Sequence, residues 1–194
     1  MDFDGNLDVT ADQPKVAIAT NVTTLNLKTL GLDTIDNILS FNGDLKLIGD
    51  NIDNITGDID LDSLTLARNN STYKIKNVKF NATDSNNQKH YSLYSNILNA
   101  DVKGEFLPSE INTLIAYVEH IISPKQFSNP DTKITSKDFT ISVDIDTFQP
   151  LFKEFIGDAY FDSAYVNFGY NHDLGKINGI ANFQDLKYDI VSSP

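Results

Sequence analysis

The chain has 194 residues, 40% of them hydrophobic and 22% charged, which is enough apolar content for one ordered domain with a sizeable core. There are 27 Asp and Glu against 15 Lys and Arg, a formal net charge of -12; such a field repels phosphate backbones and anionic lipid heads and argues against nucleic acid as a partner. Cysteine is absent, which excludes disulfides, thiolate catalysis and zinc ribbons, and no apolar run reaches the ~20 residues of a membrane helix.

The first expected strand is Phe3-Asp4-Gly5-Asn6-Leu7-Asp8-Val9. Its order of aromatic, Asx, Gly, Asx, Leu, charged and aliphatic residues returns as Phe41-Asn42-Gly43-Asp44-Leu45-Lys46-Leu47, and more loosely as Ile55-Thr56-Gly57-Asp58-Ile59-Asp60-Leu61. Apolar residues alternating with charged ones describe a strand with one greasy face and one wet face. Recurrence of the phrase describes a sheet built by laying similar strands side by side. Residues 15–28 read as a long strand in which Val16, Ile18, Thr20, Val22 and Thr24 share one parity and Leu25 and Leu27 the other, so a bulge is expected between them. Leu30-Gly31-Leu32-Asp33 reads as a turn, and Ile35, Ile38 and Leu39 fit one short helical turn. Strands follow over 41–49 and 55–67, the second kinked near Asp62-Ser63; Asn69-Asn70 is a tight turn into a strand over 72–82. A polar hairpin loop over 84–88 leads to strands over 90–98 and 100–106, the second with Ala100, Val102, Gly104 and Phe106 on one face.

The first expected helix spans 109–122, with Ser109 as its cap and Ile111, Leu114, Ile115, Val118, Ile121 and Ile122 at helical spacing. Pro124 stops it, and residues 126–136 form a polar loop. Phe139, Ile141, Val143 and Ile145 alternate with polar residues in a strand over 137–146. A second short amphipathic helix is expected over 148–156, and strands over 159–170, 176–183 and 186–191 complete the chain. The fold class is therefore mainly β: an elongated, curved, antiparallel meandering sheet with two short amphipathic helices. Residues 1–194 read as a single β-rich unit, with sub-units 1–106 and 107–194 separated by the helix over 109–122. Both ends break off within a pattern, so an internal segment of a longer protein is expected.

No arrangement of residues points to catalysis. Asp58, Asp60 and Asp62, like Asp144 and Asp146, alternate with apolar residues, which spreads them along a solvated face rather than converging them on calcium. His90, His120 and His172 lie at no metal-ligand spacing and are expected at surface positions; no metal and no cofactor is expected. There is no nucleophile elbow and no glycine-rich phosphate loop. Asn-x-Ser/Thr triplets begin at Asn21, Asn54, Asn69, Asn70 and Asn81, but Asn and Thr are so common here that chance accounts for most of them.

The order of parts carries a resemblance. The strand Phe41–Leu47 leads to Gly49-Asp50-Asn51-Ile52-Asp53-Asn54-Ile55-Thr56-Gly57, then to Ile59–Leu64, Tyr73–Val78 and Tyr91–Phe106, with the amphipathic helix directly afterwards. This resembles the TamB family of AsmA-like proteins, in its Bacteroidetes variety. The resemblance implies a β-taco-like groove whose concave face is hydrophobic. It implies a periplasm-spanning conduit that carries phospholipid acyl chains between inner and outer membranes. It further implies an inner-membrane anchor and a BamA-like outer-membrane partner, both contacted through regions outside this chain, and no catalytic residues. The groove lining expected from the strand faces is Leu45, Leu47, Ile59, Leu61, Val102, Phe106, Ile141, Val143 and Ile145. The alternative is a closed β-sandwich interaction module, an adhesin or a carbohydrate- or protein-binding domain, with Tyr160, Tyr165, Phe168 and Tyr170 clustered on one rim. The alternation itself serves a sandwich core and a groove equally.

Overall fold

A computed structural model describes residues 2–8, 13–29, 36–68, 70–122, 128, 134–147 and 159–188, and within them the protein is mainly β. In chain order the strands are β1 (Asp2–Asp8), β2 (Lys15–Asn26), β3 (Ile38–Ile48), β4 (Thr56–Arg68), β5 (Ser71–Ser85), β6 (Gln88–Tyr94) and β7 (Asn99–Gly104). A single turn of tight helix over Pro108–Glu110 runs into helix α1 (Ile111–Ile122), followed by β8 (Phe139–Ile145), β9 (Ala159–Tyr160), β10 (Ser163–Asn171), β11 (Lys176–Gln184) and β12 (Lys187–Tyr188). Ten strands form one unclosed antiparallel sheet in the order β1-β2-β3-β4-β5-β6-β7-β8-β10-β11, while β9 and β12 pair as a separate ribbon. At 4.7–4.9 Å between strands, the ten-stranded sheet extends about 43 Å across its strands.

Sequential strands pair because their connections are short. The β5–β6 hairpin turns on Asn86 (φ 55°) and Asn87 (φ 65°) alone, tighter than the five-residue loop expected over 84–88, since asparagine tolerates the left-handed region that a two-residue turn requires. Both expected irregularities are bulges. The β2–β3 register shifts between Val22 and Leu25, and the β3–β4 register shifts at Asn42/Gly43, leaving Asp62 as the extra residue on β4. On β5, Asn77 (φ 52°) lies opposite Asp62. Parity flips together on β4 and β5, so Leu61 and Val78 before the bulge, and Leu64 and Ile75 after it, stay on one side of the sheet. At Gly57 (φ +126°) the backbone approaches β3 so closely that a Cβ would lie 1.9 Å from the Lys46 carbonyl oxygen, which is why the phrase carries glycine there.

The stretch expected as one strand over 159–170 is divided at Phe161-Asp162 into β9 and β10. The expectation of two helices is not supported as a pair: α1 is present, whereas the segment 148–156 lies outside the described residues, as do the turn at 30–33 and residues 189–191. The sheet continues across α1, with β7 paired to β8 from Asn99↔Asp144 to Gly104↔Phe139. Apolar side chains cluster in two places. Phe106, Leu114, Phe139 and Tyr170 form one cluster under α1, and Ile97 packs with Leu66, Tyr73, Ile75, Leu98 and Ile145 in the other.

Candidate functional site

Cross-strand partners share a face, so the register draws continuous rows over the sheet. One row runs Val16, Leu47, Gly57, Ala82, Tyr91, Val102 and continues through Ile141 to Phe168. The next runs Ile18, Leu45, Ile59, Phe80, Leu93, Ala100 and continues through Val143 to Val166. Every side chain in both rows is apolar apart from the Tyr91 hydroxyl. That hydroxyl donates to the carbonyls of Ile52 (3.3 Å) and Ile55 (3.0 Å), and burial, with the charges of Asp84 and Asp53, pushes its pKa up to about 12.

The opposite face is polar. Asp60 pairs with Lys79 at 2.8 Å, and Asn81 donates to Asp58 at 2.7 Å. Asp62, the bulge residue, accepts from Asn42 at 3.1 Å, so the three aspartates bond separately to neighbouring strands. His90 is half-buried within β6, with its Nε2 2.6 Å from Asp101, to which Lys103 also bonds at 3.3 Å. The His90 hydrogen bond is the largest cause lowering the Asp101 pKa. The expected surface placement of His90 missed this pair because its members lie on adjacent strands and eleven residues apart. Among the described residues no group of three or more His, Asp or Glu side chains is arranged to hold a metal ion.

Of the nine residues expected to line a groove, all but Phe106 lie on the apolar side of the strands. Leu45, Leu47, Ile59, Val102, Ile141, Val143 and Ile145 are half-buried, and Leu61 is 7% exposed beside Val78. Phe106 follows the end of β7 and is 3% exposed within the cluster under α1, where Val102 and Ile141 also pack. Ile145 meets the second cluster. The four rim aromatics separate. Tyr160 and Tyr165 are exposed, while Phe168 is half-buried and Tyr170 buried, their rings stacking edge-on or tilted against Phe139 at 5.9 Å and 5.5 Å.

The apolar face is therefore covered unevenly. Over β7, β8 and β10 its margins are occupied by the chain's own clusters, and between them Ala100, Val143 and Val166 are at most half-buried apart from the clusters. Over β2 to β5 the rows belong to neither cluster. Over β2 to β5 the two rows offer dispersion and removal from water. The face is about 43 Å long across the strands, against about 15 Å for the tails of one bilayer leaflet. A tight turn over Pro108–Glu110, with Leu107 at its N-cap position, precedes the helix expected to be capped by Ser109. The Ser109 amide and hydroxyl donate to Asp53 at 2.9 and 2.7 Å, a contact bridging 56 residues that no local motif announces. Comparisons with family models, with curated proteins and with solved structures give no match to this chain.

Proposed function

We propose that this chain is a segment of a lipid-transfer conduit in which phospholipid acyl chains lie along the apolar face of the sheet, as in the TamB-type groove that its sequence resembles. The observation that carries the reading is the pair of apolar rows running from β2 to β10 on one side of a single unclosed sheet, half-buried at Leu45, Leu47 and Ile59, with no second sheet of comparable size among the described residues. An apolar face must be hidden from water against something. Each acyl methylene transferred to such a surface contributes about 0.8 kcal/mol, so a tail of roughly fourteen carbons gains about 10 kcal/mol before ordering costs. Repeated rows of similar side chains hold a tail with nearly uniform affinity, so it slides without a deep trap. The acidic outer face keeps the headgroup side in water and blunts pairing with other sheets. In this reading the protein works in the periplasm in outer-membrane biogenesis, and its inner-membrane anchor and BamA-like partner are contacted elsewhere in a longer protein.

The test is native mass spectrometry of the purified chain after incubation with phospholipid vesicles, followed by lipid extraction. Bound phospholipid is expected, together with a several-fold lower load for Val143→Glu, which sets a charge on a half-buried row, at unchanged circular dichroism. A chain that takes up no phospholipid, or a Val143→Glu variant with an unchanged load, contradicts the proposal.

A further inference from the structure

We infer that helix α1 is a fixed wall over one margin of the apolar face, and that a tail lying along the row of Leu47, Ala82 and Tyr91 stops there, because Val102, Ile141 and Phe168 pack under the helix while the row of Ala100, Val143 and Val166 stays open. The inference rests on the lipid reading above and adds where the tail stops.

The helix is held at its start by two polar clamps. In the first, Asp53 of the β3–β4 loop accepts from the amide and hydroxyl of Ser109 at 2.9 and 2.7 Å. That loop is itself pinned to the sheet by the Tyr91 hydroxyl, which bonds the carbonyls of Ile52 and Ile55. In the second, the Glu110 carboxylate accepts from the amides of Thr135 and Ser136 at 2.8 and 2.7 Å and from their hydroxyls at 2.6 and 2.7 Å. The Ser136 hydroxyl, on a residue 2% exposed, also accepts from the Leu107 amide at 2.9 Å. Partners in these clamps are 25 to 56 residues apart, so they tie separate parts of the chain together. Hydrogen bonds to charged acceptors are the stronger kind. A helix that swings away to admit lipid would have to release all of them at once.

Beyond the clamps, Leu114 is 4% exposed in the cluster with Phe106, Phe139 and Tyr170, and the Tyr117 ring meets Tyr170 edge-on at 6.4 Å. The chain's own side chains thus occupy the margin of β8 and β10 that a tail would otherwise reach. The wall sets a limit on the length of a tail lying in that one row, which is a specificity that the half-buried rows alone do not supply.

Two measurements on the whole chain test this. The first is competition between short-chain and long-chain phosphatidylethanolamine, read by native mass spectrometry, for the wild type and for the double variant Asp53→Asn, Glu110→Gln. The wild type is expected to favour the short tails, and the variant to gain roughly tenfold in the long-tail share as the wall loosens. The second is hydrogen exchange of the Leu107, Ser109 and Glu110 amides and of α1 with and without bound lipid, which needs no variant and stands if the double variant does not fold. Unchanged protection on loading is expected. Loss of protection on loading, or an unchanged length preference in a folded variant, overturns the wall. Failure of the wild type to bind either lipid overturns the lipid reading itself, and the wall with it.

Discussion

Replacing Gly57 by alanine isolates the close approach of β3 and β4. The built Cβ would lie 1.9 Å from the Lys46 carbonyl oxygen and 3.1 Å from Leu47 Cα, with φ at +126°. Backbone conformations this unfavourable for an L side chain cost of order 1–3 kcal/mol. To reach 3.4 Å, the near edge of ordinary contact, β3 must retreat by about 1.5 Å, which disrupts one or two ladder hydrogen bonds at ~1 kcal/mol each. Gly57→Ala should therefore destabilise the sheet by about 3 kcal/mol, a large share of the 5–15 kcal/mol typical of a domain. Gly175→Ala is the control. Gly175 has φ +56° with nothing within 4 Å of its built Cβ, so that substitution carries only a conformational cost of ~1 kcal/mol. Urea unfolding followed by circular dichroism reads both, with the midpoint of Gly57→Ala falling well below that of Gly175→Ala. Equal midpoints would show that the β3–β4 contact is not as tight as described, and would remove the physical reason for glycine in the recurring phrase.

Other substitutions probe the covered end and the acid response. Leu114→Ala removes a side chain that is 4% exposed and should cost about 2–5 kcal/mol in urea unfolding, with faster hydrogen exchange across α1. Burial alone would raise the Glu110 pKa, but the hydroxyls and amides of Thr135 and Ser136 together outweigh it and hold the carboxyl below its ordinary value. Its contribution is therefore fully present above the unfolded value of about pH 4.3 and is lost as pH falls through the lower folded value. Glu110→Gln should cost about 2 kcal/mol at neutral pH and flatten the loss of stability between about pH 5 and about pH 3. Urea midpoints measured across that range check it, and an acid limb as steep as that of the wild type would count against the clamp.

The faces of the strands were legible because alternation and strand geometry share a period of two. The recurring phrase put Leu45, Leu47, Ile59 and Leu61 on one side, and the change of parity after Val22 announced the bulge that the register displays before Leu25. The kink near Asp62 was legible for the same reason. What covers each face was not legible, because alternation encodes the side a residue takes and not the partner it meets. Phe106 reads as the last position of a strand stripe, yet it is buried under α1 by Leu114 and Phe139. Ser109 reads as a cap by its neighbours, and nothing local announces its bonds to Asp53, on a loop 56 residues away. The His90–Asp101 pair likewise depends on β6 and β7 lying side by side, a tertiary fact with no local signature.

The central claim concerns which side of the sheet meets lipid. Leu47 and Val143 lie on the apolar rows, half-buried, and Lys46 is the exposed neighbour of Leu47 on the opposite face. Photo-crosslinking residues at these three positions, irradiated with phospholipid vesicles and analysed by mass spectrometry, read the contact directly. The account predicts phospholipid adducts at Leu47 and Val143 and none at Lys46. Adducts at Lys46 equal to those at Leu47, or none at either apolar position, would contradict it.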